Sequence, residues 1–286
     1  MRIHHLNCIS TCPLGGALMD GRSWSLRGRL ACHCLLIETP DHGLVLIDTG
    51  FGTGDVEHPR PRLSGFFLSL LKPDFRVQAT AIRQIERLGF QAADVRHIIL
   101  THLDFDHAGG IDDFPRATVH VMAQEQSVAR AQRTWLDRQR YRLQQWGSHA
   151  LWREYRATEG ERWFGFGQVR DLAGLPQEIL MVPLPGHTHG HAGVAIDTGA
   201  GWVLQAGDAY FYHGEMDLQR PHCTSGLRFY QWMMEQDRGE RLRNQQRLRE
   251  LKRAHGATVR ILSSHDAVEF ERVAHRPLTA PVATVS

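Results

Sequence analysis

The chain has 286 residues, 42% of them hydrophobic and 22% charged, with a formal charge of +2. That length supports a substantial core in one large domain or two small ones, and so mild a charge excludes the clustered basic face of a nucleic-acid-binding domain. No apolar run approaches the roughly 20 residues of a membrane span, and the start, Met1-Arg2-Ile3-His4-His5, lacks a signal-peptide core. Five cysteines, Cys8, Cys12, Cys32, Cys34 and Cys223, form no paired framework, so a reducing cytoplasm is the expected location.

In chain order, residues 3–8 read as a short strand. Residues 30–38 and 44–47 read as a buried hairpin around the turn Pro40-Asp41-His42-Gly43. It ends at Asp48, which either backs a metal-binding histidine or caps the turn. Residues 51–77 read as an irregular loop carrying Phe66 and Phe67. Ala79, Ile82, Ile85 and Leu88 share one helical face, and Gly89 stops the helix. A strand at 97–100 leads into Thr101-His102-Leu103-Asp104-Phe105-Asp106-His107-Ala108-Gly109-Gly110, and another strand follows at 118–122.

Residues 123–165 form a Trp- and Arg-rich insert read as helical, with Trp135, Trp146, Trp152 and Trp163. Its aromatics are expected either to cover an apolar substrate as a lid or to pack an accessory layer or a homodimer contact. The second half repeats the grammar of the first. A strand at 179–183 precedes Gly186-His187, a hairpin over 191–196 and 202–205 precedes Gly207-Asp208, and a strand at 259–262 precedes Ser264-His265. One long helix is expected over 227–254, its arginines forming a solvated face, and a short C-terminal helix with a loose tail closes the chain. The echo of hairpin, helix, strand and ligand loop in each half predicts one domain, 1–286, of two stacked sheets with helices outside.

Burying His and Asp costs several kcal/mol unless they are hydrogen-bonded or coordinate something. Here His102, Asp104, Asp106, His107, His187, Asp208 and His265 all stand at strand ends. Seven N/O donors exceed the need of one tetrahedral ion and suit two ions sharing a carboxylate, and the absence of a thiolate favours a catalytic over a structural site.

These residues resemble the metallo-β-lactamase fold, whose signature is His-x-His-x-Asp-His, a later Gly-His, an Asp after Gly and a C-terminal His. The resemblance spans about residues 30–270. It implies an αββα sandwich with the metals at its edge. It also implies that His102, position 104 and His187 hold the first metal, Asp106, His107 and His265 the second, and that Asp208 bridges them. Asp104 departs from the usual histidine. A carboxylate there is expected to add negative charge and to let Mn or Fe compete with Zn, as in flavodiiron proteins, which carry Glu at that place.

The chain is most similar to N-acyl-homoserine lactonases. The resemblance implies a metal-bridging hydroxide that attacks the carbonyl of a small-molecule lactone or ester, with Asp106 as proton carrier and Tyr210 or Tyr212 as hydrogen-bond donor to the substrate. β-Lactam, thioester or phosphodiester hydrolysis, a di-iron or di-manganese oxidoreductase, and a non-catalytic binding protein are the alternatives.

Overall fold

Strand alternation decides which face each residue takes. The computed structural model describes residues 1–158 and 160–282. Its first sheet contains Arg2–Asn7 (β1), His33–Glu38 (β2), Leu44–Ile47 (β3), Val95–Ile99 (β4), Thr118–Met122 (β5) and Trp152–Tyr155 (β6), hydrogen-bonded in that order. The second contains Glu161–Trp163 (β7), Phe166–Asp171 (β8), Ile179–Pro183 (β9), Ala192–Asp197 (β10), Trp202–Gln205 (β11) and Val259–Leu262 (β12), in the order β12-β11-β10-β9-β8-β7. β3, β4, β5 and β6 run parallel, as do β11 and β12, while the remaining neighbours pair antiparallel.

Leu35, Ile37, Val45, Ile47 and Ile99 face Ile179, Met181, Val194 and Ile196 between the sheets. The alternate residues Cys34, Leu36, Leu46 and Ile98 point outward, against Ala81, Ile85 and Leu88. On the far side, Leu248 and Leu251 of the helix Arg238–His255 cover Val182, Leu184, Ala195 and Leu204. The result is the expected sandwich, with helix, sheet, sheet and helix as layers.

Three expectations change. The insert is helical only as far as Trp146, with helices Ala123–Ala131, Trp135–Arg140 and Leu143–Trp146. It then supplies β6 to the edge of one sheet and β7 to the edge of the other. Both strands are short and largely exposed, so they lack the apolar run that marks a buried strand. Glu159, within the insert, and residues 283–286 of the tail lie outside the described residues.

The long helix is two helices, Ser225–Met234 and Arg238–His255. The Asp237 side chain caps the second by accepting from the Glu240 N–H, and the Gln236 and Asp237 N–H groups turn away to the Gly186 carbonyl. Segment 51–77 holds the short helices Thr53–Glu57, Pro59–Arg62 and Gly65–Leu71 rather than irregular chain, the last capped by the Ser64 hydroxyl. No helix among the described residues is long and apolar enough to cross a membrane.

Candidate metal centre

The candidate donors arrive just beyond strand ends on one edge of the sandwich. β4 leads to His102, Asp104, Asp106 and His107, β9 to His187, β11 to Asp208 and β12 to His265. Backbone bonds stitch the loops together: Thr49 N–H donates to the His107 carbonyl at 2.8 Å, Ala192 N–H to Thr101 at 2.9 Å and Ser264 N–H to Gly207 at 3.1 Å. Gly207 has φ 56°, and a Cβ there would lie 2.5 Å from His191 Nε2, so only glycine fits the turn that presents Asp208.

The structure brings all seven donors together, each no more than 5% exposed. Their donor atoms fall into overlapping groups within 4.8 Å: His102, Asp104 and His187; His102, His107 and Asp208; Asp106, His107 and His265. Asp208 stands between the first and last of these. Its Oδ1 lies 3.3 Å from His107 Nε2 and 3.2 Å from His265 Nε2, and its Oδ2 lies 3.4 Å from His187 Nε2 and 3.8 Å from His102 Nε2.

His102 Nε2 and Asp208 Oδ1 are buried without a hydrogen-bond partner. Such orphans cost about 1–3 kcal/mol each, and a divalent cation would satisfy both. The residues therefore fit a metal centre of nitrogen and oxygen donors.

Three of the four imidazoles are aimed by what stands behind them. His107 Nδ1 is 2.9 Å from Asp48 Oδ2, His265 Nδ1 is 2.8 Å from the Ala31 carbonyl, and His102 Nδ1 is 3.0 Å from Thr101 Oγ1. Each partner leaves Nε2 facing the cluster. Asp48 thus backs a candidate donor and also accepts the Thr101 N–H at 2.8 Å. His191 donates no atom to the cluster. Its Nδ1 is 2.9 Å from the Leu184 carbonyl and its Nε2 accepts the Asp208 N–H at 2.9 Å, while burial pushes its pKa down to about 3. His189 is exposed.

The electrostatics follow from burial and crowding. Burial opposes charge on Asp208, but His265, His107 and His187 overcome it and hold the carboxyl well below the usual range. Burial also opposes charge on His107 and His265, yet Asp208, with Asp48 for His107 and Asp106 for His265, raises both imidazoles. Asp106 is raised, chiefly by burial.

Two residues that the sequence did not single out complete the centre. Arg140, fully buried, grips Asp104 with a fork: Nε lies 2.6 Å from Oδ1 and Nη2 lies 2.5 Å from Oδ2. Burial alone would raise Asp104, but Arg140 and then His102 hold it well below the usual carboxylate range. The negative charge expected at position 104 is therefore cancelled within the fold. Glu125 ties the two ligand loops together, accepting the Leu103 N–H at 3.0 Å, the Thr188 hydroxyl at 2.6 Å and the Gly190 N–H at 3.2 Å. Burial pushes its carboxyl up to about 7. A signal existed for neither residue beyond its type, since their partners lie 22 to 94 residues away.

The tyrosines divide differently from expectation. The Tyr210 hydroxyl donates to Glu269 at 2.8 Å, and the Tyr212 ring packs on His213 and His222, so neither is brought to the donor cluster. Between them, Phe211 stacks on His265 at 4.9 Å between ring centroids and meets His187 at 5.7 Å. Tyr230, on the helix Ser225–Met234, packs on Phe211 at 5.7 Å. It is almost buried and its hydroxyl bonds to no described residue. Burial and then the charges of Asp106, Asp104 and Asp208 raise its pKa. Phe211, Tyr230, Phe105, Phe67, Phe51, Leu63, Met19 and Met234 belong to one apolar cluster beside the donors.

The profile of the family described as "Metallo-beta-lactamase superfamily" matches residues 27–267. The "Probable metallo-hydrolase Rv2300c" of Mycobacterium tuberculosis is 41% identical over 266 residues, covering 93% of this chain and 80% of the relative. An N-acyl homoserine lactonase of Bacillus thuringiensis is 28% identical over 62% of this chain and 63% of its own length. Among solved structures, an N-acyl homoserine lactone hydrolase with N-hexanoyl-L-homoserine at its catalytic metal centre superposes with a TM-score of 0.70 at 20% identity, covering 94% of this chain and 95% of the other. AidC, a dizinc quorum-quenching lactonase, superposes at 0.60 and 17% identity, covering 92% and 86%.

Proposed function

The chain belongs to the metallo-beta-lactamase superfamily and is a metal-dependent hydrolase; on that premise we propose that it opens lactones, or cleaves esters, of the N-acyl-homoserine lactone type at a two-metal site. The observation that carries the reading is a chain of donor groups that overlap through His102 and His107, with Asp208 at the centre within 3.4 Å of His107, His187 and His265, beside an apolar cluster. His102, Asp104 and His187 would hold one ion, Asp106, His107 and His265 the other, and Asp208 both. Zinc is the first expectation for such donors, with manganese or iron as competitors. Metal ions bound there supply Lewis acidity and a strongly nucleophilic water near neutral pH.

The chain's own groups supply the rest. Asp106, whose carboxyl is raised by burial, is suited to take the proton released by the attacking water and pass it to the leaving alkoxide. Tyr230, rather than Tyr210 or Tyr212, has an uncommitted hydroxyl beside the donors and would donate to the carbonyl oxygen as negative charge develops there. Phe211, Phe105 and Phe67, all buried, would exclude water from that side of the donors.

The arginines of the helix Arg238–His255 argue against an anionic tripeptide or nucleic-acid substrate, because most are engaged by the protein itself. Arg241 pairs with Glu235 at 2.6 Å, Arg249 donates to the Glu215 carbonyl, and Arg247 lies over the Phe166 ring.

The test is a hydrolysis panel of acyl-homoserine lactones, aryl esters, β-lactams, glutathione thioesters and bis-aryl phosphates, run on metal-loaded protein with Asp208→Ala as control. Lactone turnover that exceeds the other classes and is lost in the control is expected. Turnover confined to β-lactams, thioesters or phosphodiesters would replace the substrate assignment.

A further inference from the structure

Of the seven donors, Asp104 alone has its carboxylate gripped by a Lys or Arg among the described residues. Arg140 is the last residue of the helix Trp135–Arg140, and Tyr141 after it forms an antiparallel bridge with Asp104, which sets the two side chains together. The guanidinium uses four of its five N–H donors: Nε on Asp104 Oδ1, Nη2 on Asp104 Oδ2 and 3.0 Å from His187 Nε2, and Nη1 on the Met234 carbonyl at 2.7 Å. A buried ion pair tends to break even against apolar packing, so stability alone is a weak reason for one at a metal centre.

The geometry gives a better reason. Asp104 Oδ2 lies 3.0 Å from His187 Nε2 and 3.3 Å from His102 Nε2. A carboxylate oxygen has more than one lone-pair site, so Oδ2 can accept from Nη2 and still face the other two donors. The fork fixes both carboxylate oxygens at once, which a lysine point charge would not do.

We propose that Asp104 and Arg140 act as one composite, charge-neutral ligand, so that the first metal position carries the net charge of an all-histidine set while using a carboxylate. Arg140 is thus a positioning residue, and delivering it is a role for the insert. The inference rests on the two-metal reading above.

The experiment titrates Zn(II) into the chelator-stripped full chain by calorimetry and counts retained metal by elemental analysis. The chains are wild type, Arg140→Met, Arg140→Lys and the double variant Asp104→His with Arg140→Met, each checked for folding by circular dichroism. Wild type is expected to hold two ions. Arg140→Met weakens one position by about 10–100-fold, the range for loss of a residue that orients a ligand, and leaves the other unchanged. Arg140→Lys stays weakened, because it keeps the charge without the fork.

The double variant restores wild-type affinity, since a neutral imidazole needs no counter-charge. It also keeps the test sharp if Arg140→Met fails to fold, because it buries no unpaired carboxylate. Unchanged affinities in Arg140→Met, or a folded double variant that does not recover, would overturn the composite ligand and leave the two-metal reading standing. One ion in wild type would overturn both, and a second ion appearing in Arg140→Met would then place the guanidinium where the ion was expected.

Discussion

The two ends of the donor cluster are built on opposite electrostatic plans. At one end, Asp106, His107 and His265 are backed by Asp48 and by the Ala31 carbonyl, and neither Asp48 nor Asp106 pairs with a Lys or Arg among the described residues. At the other, the single carboxylate, Asp104, is cancelled by Arg140, and His102 rests on a threonine hydroxyl. Shared donors thus sit between a strongly negative position and a nearly neutral one. Ion number alone does not fix a site's character, because the groups behind the ligands set its charge.

Asp208→Ala should do the most damage, because it breaks both ends at once. Several kcal/mol of charge stabilisation are at stake, so hydrolysis should fall by about a thousandfold or more, read as kcat/KM alongside metal content. Asp48→Asn separates the ends. It frees the His107 ring, so metal affinity should fall by about 10–100-fold at the Asp106 end, with a smaller loss at the other because Asp48 also holds Thr101, whose hydroxyl backs His102; two-site calorimetry resolves the two. Equal weakening at both positions would contradict the separation.

Tyr230→Phe sharpens the account on the substrate side. A lost hydrogen bond to a charged transition state costs about 1.5–3 kcal/mol, so kcat/KM should drop by about 10–150-fold with metal content unchanged. Tyr210→Phe should change stability instead, since its hydroxyl serves Glu269.

The smallest effect is a pH dependence. His107 and His265 have raised pKa values in the metal-free fold, so their contribution to stability is present below the ordinary imidazole value of 6.5 and lost as pH rises through the raised values. Metal must displace those protons, so its stabilisation grows over the same range. The melting-temperature gap between metal-loaded and chelator-treated protein should widen from pH 6 to pH 9, about the span in which imidazoles titrate; a constant gap would show that these histidines are not ligands.

Much of this site was legible because each donor follows an apolar strand, so the order His102, Asp106, His107, His187, Asp208, His265 could be read with the core strands. Arg140 could not be read, because its meaning depends on an ion pair with Asp104 across 36 residues, set by the backbone bridge between Tyr141 and Asp104. Glu125 looked like an ordinary helical residue for the same reason. The break at 235–237 is hidden by helix-forming residues on both sides; the Gly186 and His187 carbonyls and the Asp237 cap account for it. Tyr210 and Tyr212 follow from the resemblance, which implies a tyrosine shortly after the bridging Asp, whereas Tyr230 packs on Phe211 beside the donors from a separate helix. Position along the chain marks the candidate donors, and packing decides their partners.

The most direct measurement is anomalous diffraction at the zinc edge from crystals of the metal-loaded chain. Two peaks are predicted about 3.5–4 Å apart, one on each side of Asp208. The peak beside His102, Asp104 and His187 should be the first to weaken when zinc is limiting, because it lies at the less negative end. A single peak at the Asp106 end, with none beside Asp104 at saturating zinc, would contradict the two-metal account.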